Sequence, residues 1–455
     1  MTNKTQNLKS VCIVGLGYIG LPTLALLAEN KVKVHGVDVN QSVVDTINKG
    51  EIHIVEPGLA DIVRKGVKDG YIIADTEPKA SDVYLIVVPT PFKGNNEPDI
   101  SYVEAATRAV IPFLKEGDTF IIESTSPVGT TEKMALLIAS ERPDLLSNET
   151  LGENSSLNTQ NSTLDTQNST LDTQNLTLKT SPSSLKVNIA YCPERVLPGN
   201  VMYELVNNDR VIGGINEKST EMACNFYKLF VEGELHPTNA RTAEMCKLTE
   251  NASRDAQIAF ANELSLICDK ADIDVWELIK LANKHPRVNI LQPGCGVGGH
   301  CIAVDPWFIV ADYPLESRMI GTARAVNNHK SFWCAEKIIQ TIKDWRLRTQ
   351  NSSLNTQNSI PKVALMGLAF KPNIDDLRES PAKYIVSKVL QHENECEFMI
   401  VEPNIKDHPI YKLTDYKTAF KEADIIVFLV AHGEFKEINV KSNTTVLDFC
   451  GINDK

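Results

Sequence analysis

VCIVGLGYIG, residues 11–20, places four strand-forming residues directly before Gly15-Leu16-Gly17-Tyr18-Ile19-Gly20, a GxGxxG run. In a strand–turn–helix unit the first glycine permits a tight turn, the second lets backbone approach a pyrophosphate, and the third lets helix pack on strand. The N–H groups at the helix start then face the phosphates, so Gly15, Gly17, Tyr18, Ile19 and Gly20 form a candidate cofactor cradle. Such a run taken by itself also fits a purely structural turn. Asp38 closes the next strand, 18 residues after Gly20, where a carboxylate can accept hydrogen bonds from ribose hydroxyls and disfavours a 2′-phosphate. The two features together point to NAD rather than NADP.

Outward from this unit, VKVHGVD and DVYLIVVP continue the strand signal, with helical period between them, and TFIIEST and VNIAYCPE extend the series. That alternation predicts a parallel α/β sheet. From Glu217 to Asn328 the pattern becomes long amphipathic helix, clearest in ARTAEMCKLTENASRDAQIAFANELSLICDKA, without strand-like runs. The α/β alternation returns with KVALMGLAF, ECEFMIVEP, ADIIVFLVAH and TTVLDFCG. The expected fold class is α/β, with two Rossmann-like parallel-sheet domains joined by a helical middle: 1–216, 217–328 and 329–455. TQNSTLD at 159–165 repeats at 166–172 and, as TQNLTLK, at 173–179, with related text at 349–359. Mostly one apolar residue per seven cannot build a coiled-coil seam. These stretches read as low-complexity insertions at about 152–183 and 348–360.

With 455 residues, 42% apolar and 23% charged, the chain can bury a sizeable core, and its length suits two to four domains at ~100–200 residues each. A net charge of -12 gives nucleic-acid binding no global support. The longest apolar runs, such as Ile425 to Ala431, fall far short of the ~20 residues of a membrane span. The N-terminus lacks the pattern of a secretory signal, so a cytoplasmic location is expected. Ten cysteines without a CxxC pair argue against a zinc ribbon or a disulfide framework, and no metal site is expected.

Gly294-Cys295-Gly296-Val297-Gly298-Gly299-His300-Cys301 is the most unusual local composition. Clustered glycines allow close approach of a substrate, and a thiolate with access can attack a carbonyl. A glycine turn with incidental buried thiols fits the spacing equally well. Lys247 and Asn251, four apart on a helix, can converge on one developing oxyanion; the same spacing also describes a solvated helix face. Asp305 follows Cys301 by four residues, and Thr125 and Glu194 each follow a predicted strand, where ligands of parallel sheets bind.

GLGYIGLP at 15–22, ESTSPVGTT at 123–131, YCPERVLPG at 191–199, KLTENASRDAQIAFANE at 247–263, ILQPGCGVGGHCIAVDPWFI at 290–309 and FKPNIDDLRESP at 370–381 resemble, in that order, the UDP-glucose/GDP-mannose dehydrogenase family. The resemblance covers nearly the whole chain apart from the insertions. It is closest to the branch acting on UDP-N-acetyl-D-mannosamine, because GGHCIAVDPWF points to a 2-acetamido sugar nucleotide.

The resemblance implies Cys301 as nucleophile, Lys247 and Asn251 around the sugar C6 oxygen, and Asp305 and Thr125 as organisers of water and proton. Glu194 resembles the carboxylate associated with thioester hydrolysis. Thr90, Thr125 and Arg378 join the implied cofactor set; Glu194, Arg195, Lys247, Asn251, Gly298 and Lys371 join the implied substrate set. Arg287 resembles a substrate arginine contributed by the neighbouring subunit of a homodimer. The implied reaction is a four-electron oxidation of the C6 hydroxymethyl to a carboxylate with NAD, through a cysteine thiohemiacetal and thioester. UDP-N-acetylglucosamine and UDP-glucose are rival substrates, since no residue readable here fixes the epimer. A catalytically silent NAD-binding scaffold would lack Cys301, Lys247 or Asp305, and all three are present. Cys295 stands where the family pattern has proline.

Overall fold

Four apolar runs, VCIV, VYLI, TFII and NIAY, are buried on both faces in adjacent strands, as parallel sheets covered by helices require. The computed structural model describes residues 8–94, 96–147, 184–196, 199–299, 301–350, 360–436, 440, 441 and 443–452. The repeats at 159–179 lie outside them, as does 351–359 of the second expected insertion, while residues 348–350 end a helix.

Residue contacts divide the chain into two units, 1–247 and 248–455. The first holds β1 (Ser10–Val14), β2 (Lys33–Val37), β3 (Ile72–Asp75), β4 (Val83–Ile86), the short hairpin β5 (Phe92–Lys93) and β6 (Glu97–Pro98), β7 (Thr119–Ile122), β8 (Asn188–Tyr191), β9 (Arg210–Gly214) and β10 (Leu235–Asn239). Eight of these form one sheet in the order β10-β9-β8-β7-β4-β1-β2-β3. The pairs are parallel except β8 with β9. β1 lies between β2 and β4, so chain order reverses at its carboxyl end, where α/β sheets bind ligands. GxGxxG begins at that point.

The sheet runs past residue 216, where the sequence pattern puts its first boundary. Helix Glu217–Tyr227 packs on β8, β9 and β10. The expectation of no strand between 217 and 328 is corrected by β10. Its sequence, LHPTN, is polar and largely exposed, because an edge strand needs backbone pairing on one side only and carries no apolar signature.

Helix Ala240–Ala271 spans the division at residue 247. The second unit continues with helices Val275–Ala282, Asp305–Asp312 and Arg318–Gln350, the last running unbroken through residue 328. Its sheet is parallel throughout, in the order β12 (Glu397–Val401), β11 (Lys362–Met366), β13 (Ile425–Phe428), β14 (Thr445–Asp448). Apolar residues of β11, β12 and β13 pack with Cys334, Ile338 and Ile342 of helix Arg318–Gln350 to form one core. Among the described residues no helix is long and apolar enough to cross a membrane.

Candidate active site

The glycine loop shows why each glycine is there. Gly15 has φ +99°, and a Cβ on it would lie 2.3 Å from the Val87 carbonyl oxygen; one on Gly20 would lie 1.8 Å from the Gly15 oxygen. No atom lies within 4 Å of the corresponding point on Gly17, so the second glycine faces open space, as a pyrophosphate cradle requires. The Gly15 N–H donates to the Val37 oxygen at 2.8 Å. Asp38 accepts from the Leu16 N–H at 3.1 Å and the Asn40 N–H at 2.9 Å, which aims its half-buried carboxylate beside the loop. Helix Gly20–Glu29 has no acid in its first turn, leaving its positive end for an anion. Tyr18 is exposed. These residues fit NAD.

Further along the same sheet edge, the Thr90 hydroxyl donates to the Thr125 carbonyl at 2.7 Å, and the Val88 N–H donates to Ser124 Oγ at 2.9 Å. The loops after β4 and β7 are thereby joined. Glu194, three residues past β8, is half-buried and accepts from the Val196 N–H at 2.9 Å. Arg195 donates to the Asp209 carbonyl at 3.3 Å.

Glu244 is a residue that sequence reading misses. It is fully buried and accepts from the Gly129 N–H at 2.6 Å, the Thr131 N–H at 2.8 Å and the Thr131 hydroxyl at 2.6 Å. It thus satisfies the first donors of helix Thr130–Glu141, which would otherwise be orphaned. Helix Ala240–Ala271 is anchored to the Thr125–Gly129 loop three residues before Lys247, itself half-buried. Its partners lie 113 and 115 residues away, so no local capping motif marks it.

In the second unit, Asn251 donates to Asp305 Oδ2 at 2.5 Å. Asp305 is buried and opens helix Asp305–Asp312, its N–H donating to the Cys301 carbonyl at 2.8 Å. Cys301, Asp305 and Asn251 therefore form one bonded cluster, with the Cys301 side of it exposed. Lys247 lies one turn before Asn251 on the same helix.

Cys295 is different. It is buried beside Cys334, its Sγ 3.3 Å from the Leu429 carbonyl oxygen, and the Cys334 thiol together with burial pushes its thiol well up. The glycines at 296, 298 and 299 face protein. A Cβ on Gly298 would lie 2.4 Å from the Glu379 carbonyl oxygen, and Gly299, at φ +84°, packs on the Phe370 ring. Close approach is therefore needed by the chain's own 370–381 segment. The Gly294 N–H is held by Asn262 at 2.9 Å. Asn262 in turn donates to Asn327, and Asn327 to Asp255, which also takes Arg324 at 2.6 Å. Lys371 and Arg287 stand exposed, and Arg378 is gripped by Asp376 at 2.6–3.1 Å. Among the described residues, Asp209, Glu234 and His236 bring possible metal-ligand atoms within 4.8 Å of one another; all three are exposed, and none belongs to the candidate set.

Three comparisons place this geometry. Residues 9–231 match the UDP-glucose/GDP-mannose dehydrogenase family, NAD binding domain; 241–329 match its central domain and 364–455 its UDP binding domain. The chain is 53% identical to a UDP-N-acetyl-D-mannosamine dehydrogenase of Campylobacter jejuni, over 97% of this chain and 98% of that one. It is 52% identical to the protein of the same name from Escherichia coli K12, over 94% and 95% of the two chains. The solved structure of a UDP-D-ManNAc dehydrogenase from Pyrococcus horikoshii superposes with a TM-score of 0.78 at 33% identity, covering 97% of this chain and 96% of that one. With its cofactor loop, thiol loop and terminal sheet all matched, the chain belongs to the UDP-glucose/GDP-mannose dehydrogenase family and is an NAD-dependent oxidoreductase of nucleotide sugars.

Proposed function

We propose that this enzyme oxidises the C6 hydroxymethyl of UDP-N-acetyl-D-mannosamine to the uronate, in the cytoplasm, by way of a thioester on Cys301. The observation that carries the reading is the hydrogen-bonded cluster of Cys301, Asp305 and Asn251, with Cys301 exposed; the names of the relatives supply the sugar. NAD, when bound, supplies the hydride acceptor, and alcohol to carboxylate removes four electrons, so each sugar consumes two NAD. The Cys301 sulfur adds to the aldehyde carbon and retains it as a thiohemiacetal. Loss of the second hydride leaves a thioester. Water then forms the new C–O bond, the C–S bond breaks, the Cys301 thiolate is restored, and Glu194 takes the proton. Lys247 and Asn251 stabilise the negative oxygen at each stage, an effect worth ~3–4 kcal/mol per donor in a dry site. Asp305 and Thr125 order the water and proton, and Arg195 and Lys371 contact the substrate.

The functional division follows the three expected domains: NAD at 1–216, helical pairing at 217–328, UDP-sugar at 329–455. Exposed Phe260, Ile267, Ile273 and Leu281 support pairing of two copies, with Arg287 completing the neighbour's site. The test is NADH production across a panel of UDP-sugars. The expected result is two NADH per UDP-N-acetylmannosamine with slower turnover of the N-acetylglucosamine and glucose analogues; one NADH per sugar overturns the four-electron route. Light scattering at assay concentration checks the dimer, and a fully active monomer overturns it.

A further inference from the structure

β9 is the strand that runs against its neighbour β8. Ala190 lies opposite Gly214 and Tyr191 opposite Gly213. Extending this register brings Arg210, the first residue of β9, level with position 194. The reversal thus delivers a cation to the carboxyl edge of the parallel strands. Glu123 arrives at the same edge by following β7, whose Ile122 carbonyl accepts the Cys192 N–H at 3.0 Å.

The side chains meet beneath the surface. Arg210 is 2% exposed and donates through Nη2 to the Leu205 carbonyl at 3.3 Å; its guanidinium carbon lies 5.4 Å from the Tyr227 ring centre. The Tyr227 hydroxyl donates to Glu123 Oε1 at 2.5 Å. Among the described residues of this cluster, Oε2 of Glu123, Oε1 of Glu194, and Nε and Nη1 of Arg210 are buried without a hydrogen-bond partner. Arg210 bears electrostatically on both carboxyl groups.

We propose that Arg210 and Glu123 are positioning residues for Glu194: the buried guanidinium balances one carboxylate, Glu123 keeps a proton, and Glu194 stays the ionised group that receives the proton of the attacking water. This rests on the reading of Glu194 as the carboxylate of thioester hydrolysis. The titratable groups that surround the cluster are consistent with the count. Burial pushes the Glu123 carboxyl up, against the opposing pull of Arg210 and the Tyr227 hydroxyl. Burial also pushes the Cys192 thiol up to about 12 and the Tyr227 hydroxyl well up, so both are neutral near pH 7. Burial opposes the charge on Arg210, but a guanidinium keeps its proton throughout this pH range. One cation therefore faces two carboxyl groups, and two carboxyls in unlike surroundings separate into an acid and a base.

The test follows the thioester's decay by rapid quench and intact-mass measurement between pH 5.5 and 9. Arg210→Met should move the acidic limb of the hydrolysis rate up by about one pH unit or more and build up the thioester, with KM for sugar and NAD changed less than about twofold. Arg210→Lys, which keeps the charge, should bring the limb back to within about half a unit. Infrared difference spectra at neutral pH should show a protonated-carboxyl band that Glu123→Gln removes. An unmoved limb in both Arg210 variants, or no such band, overturns the proposal; if Arg210→Met fails to fold, the band and Arg210→Lys decide. Glu194→Gln runs alongside. Trapping of the thioester there supports the underlying reading by itself, and normal hydrolysis overturns that reading and the proposal with it.

Discussion

His432 Nε2 donates to Glu402 Oε2 at 3.1 Å, with neither side chain exposed. The ring's other nitrogen accepts the Asn373 N–H at 3.0 Å, which assigns the hydrogen to Nε2. The same carboxylate oxygen also takes the Leu368 and Ala369 N–H groups at 2.7 and 2.9 Å. Glu402 follows β12 as Asp38 follows β2, and Gly367 bonds to Val401 as Gly15 bonds to Val37. The two sheets thus share one loop design. In the second, the acid is saturated by protein donors and is closed to a ribose.

Acid stability should reveal that lock. Burial pushes the Glu402 carboxyl up, but His432 and the Leu368 amide outweigh it and hold it at about 2, against the usual 4.5. A depressed value stabilises the fold above pH 4.5, and that stabilisation, of order ~3 kcal/mol, is lost as pH falls toward 2. Glu402→Gln should melt several degrees lower at neutral pH, and the gap in Tm should close in acid. A constant gap would contradict the assignment.

The two thiols of the glycine loop should separate cleanly in kinetics. Cys301→Ala should abolish uronate formation while leaving NAD affinity within about twofold, because the cofactor loop is untouched. Cys295→Ala should keep turnover and lose ~1–2 kcal/mol of stability, the usual scale for a small buried truncation. Steady-state rates and denaturant midpoints read both; an inactive Cys295→Ala with an active Cys301→Ala would reverse the assignment.

Asp38→Ala removes the acceptor that we propose for the ribose. Charged hydrogen bonds of this kind contribute ~1.5–3 kcal/mol, so KM for NAD should rise about tenfold or more, and discrimination against NADP should shrink. Initial rates with each cofactor measure it. Unchanged NAD affinity would remove Asp38 from the site.

Glu244→Ala leaves two backbone N–H groups and a hydroxyl buried without an acceptor. At ~1–3 kcal/mol for such a loss, the variant should unfold at distinctly lower urea. Its kcat should fall more than its KM rises, since Lys247 lies less than a turn beyond the lost anchor. A stability loss with kcat intact would confine Glu244 to a purely structural role.

What could be read beforehand followed from local physics. GxGxxG and Asp38 sit within one strand–helix–strand unit, and β1, β4, β7 and β8 announce themselves as apolar runs because both faces are covered. β10 carries no such mark, since an exposed edge strand is held through its backbone. Glu244 and Arg210 were invisible for a different reason. The partners of Glu244 lie 113 and 115 residues away, and Arg210 meets Glu123 only where β7 and β9 share one sheet, so their importance exists only after the sheet has formed. The glycines at 296–299 read in sequence as room for a ligand, and the chain fills that room itself; composition reports that something must come close, without saying what.

Of ten cysteines, Cys301 alone is exposed, Cys246 is half-covered, and eight are buried. The enzyme therefore carries its own counting label. A mild disulfide reagent should release one fast chromophore equivalent per native chain and ten after denaturation, and the ratio reports the fraction of competent sites in a preparation with no sugar nucleotide present.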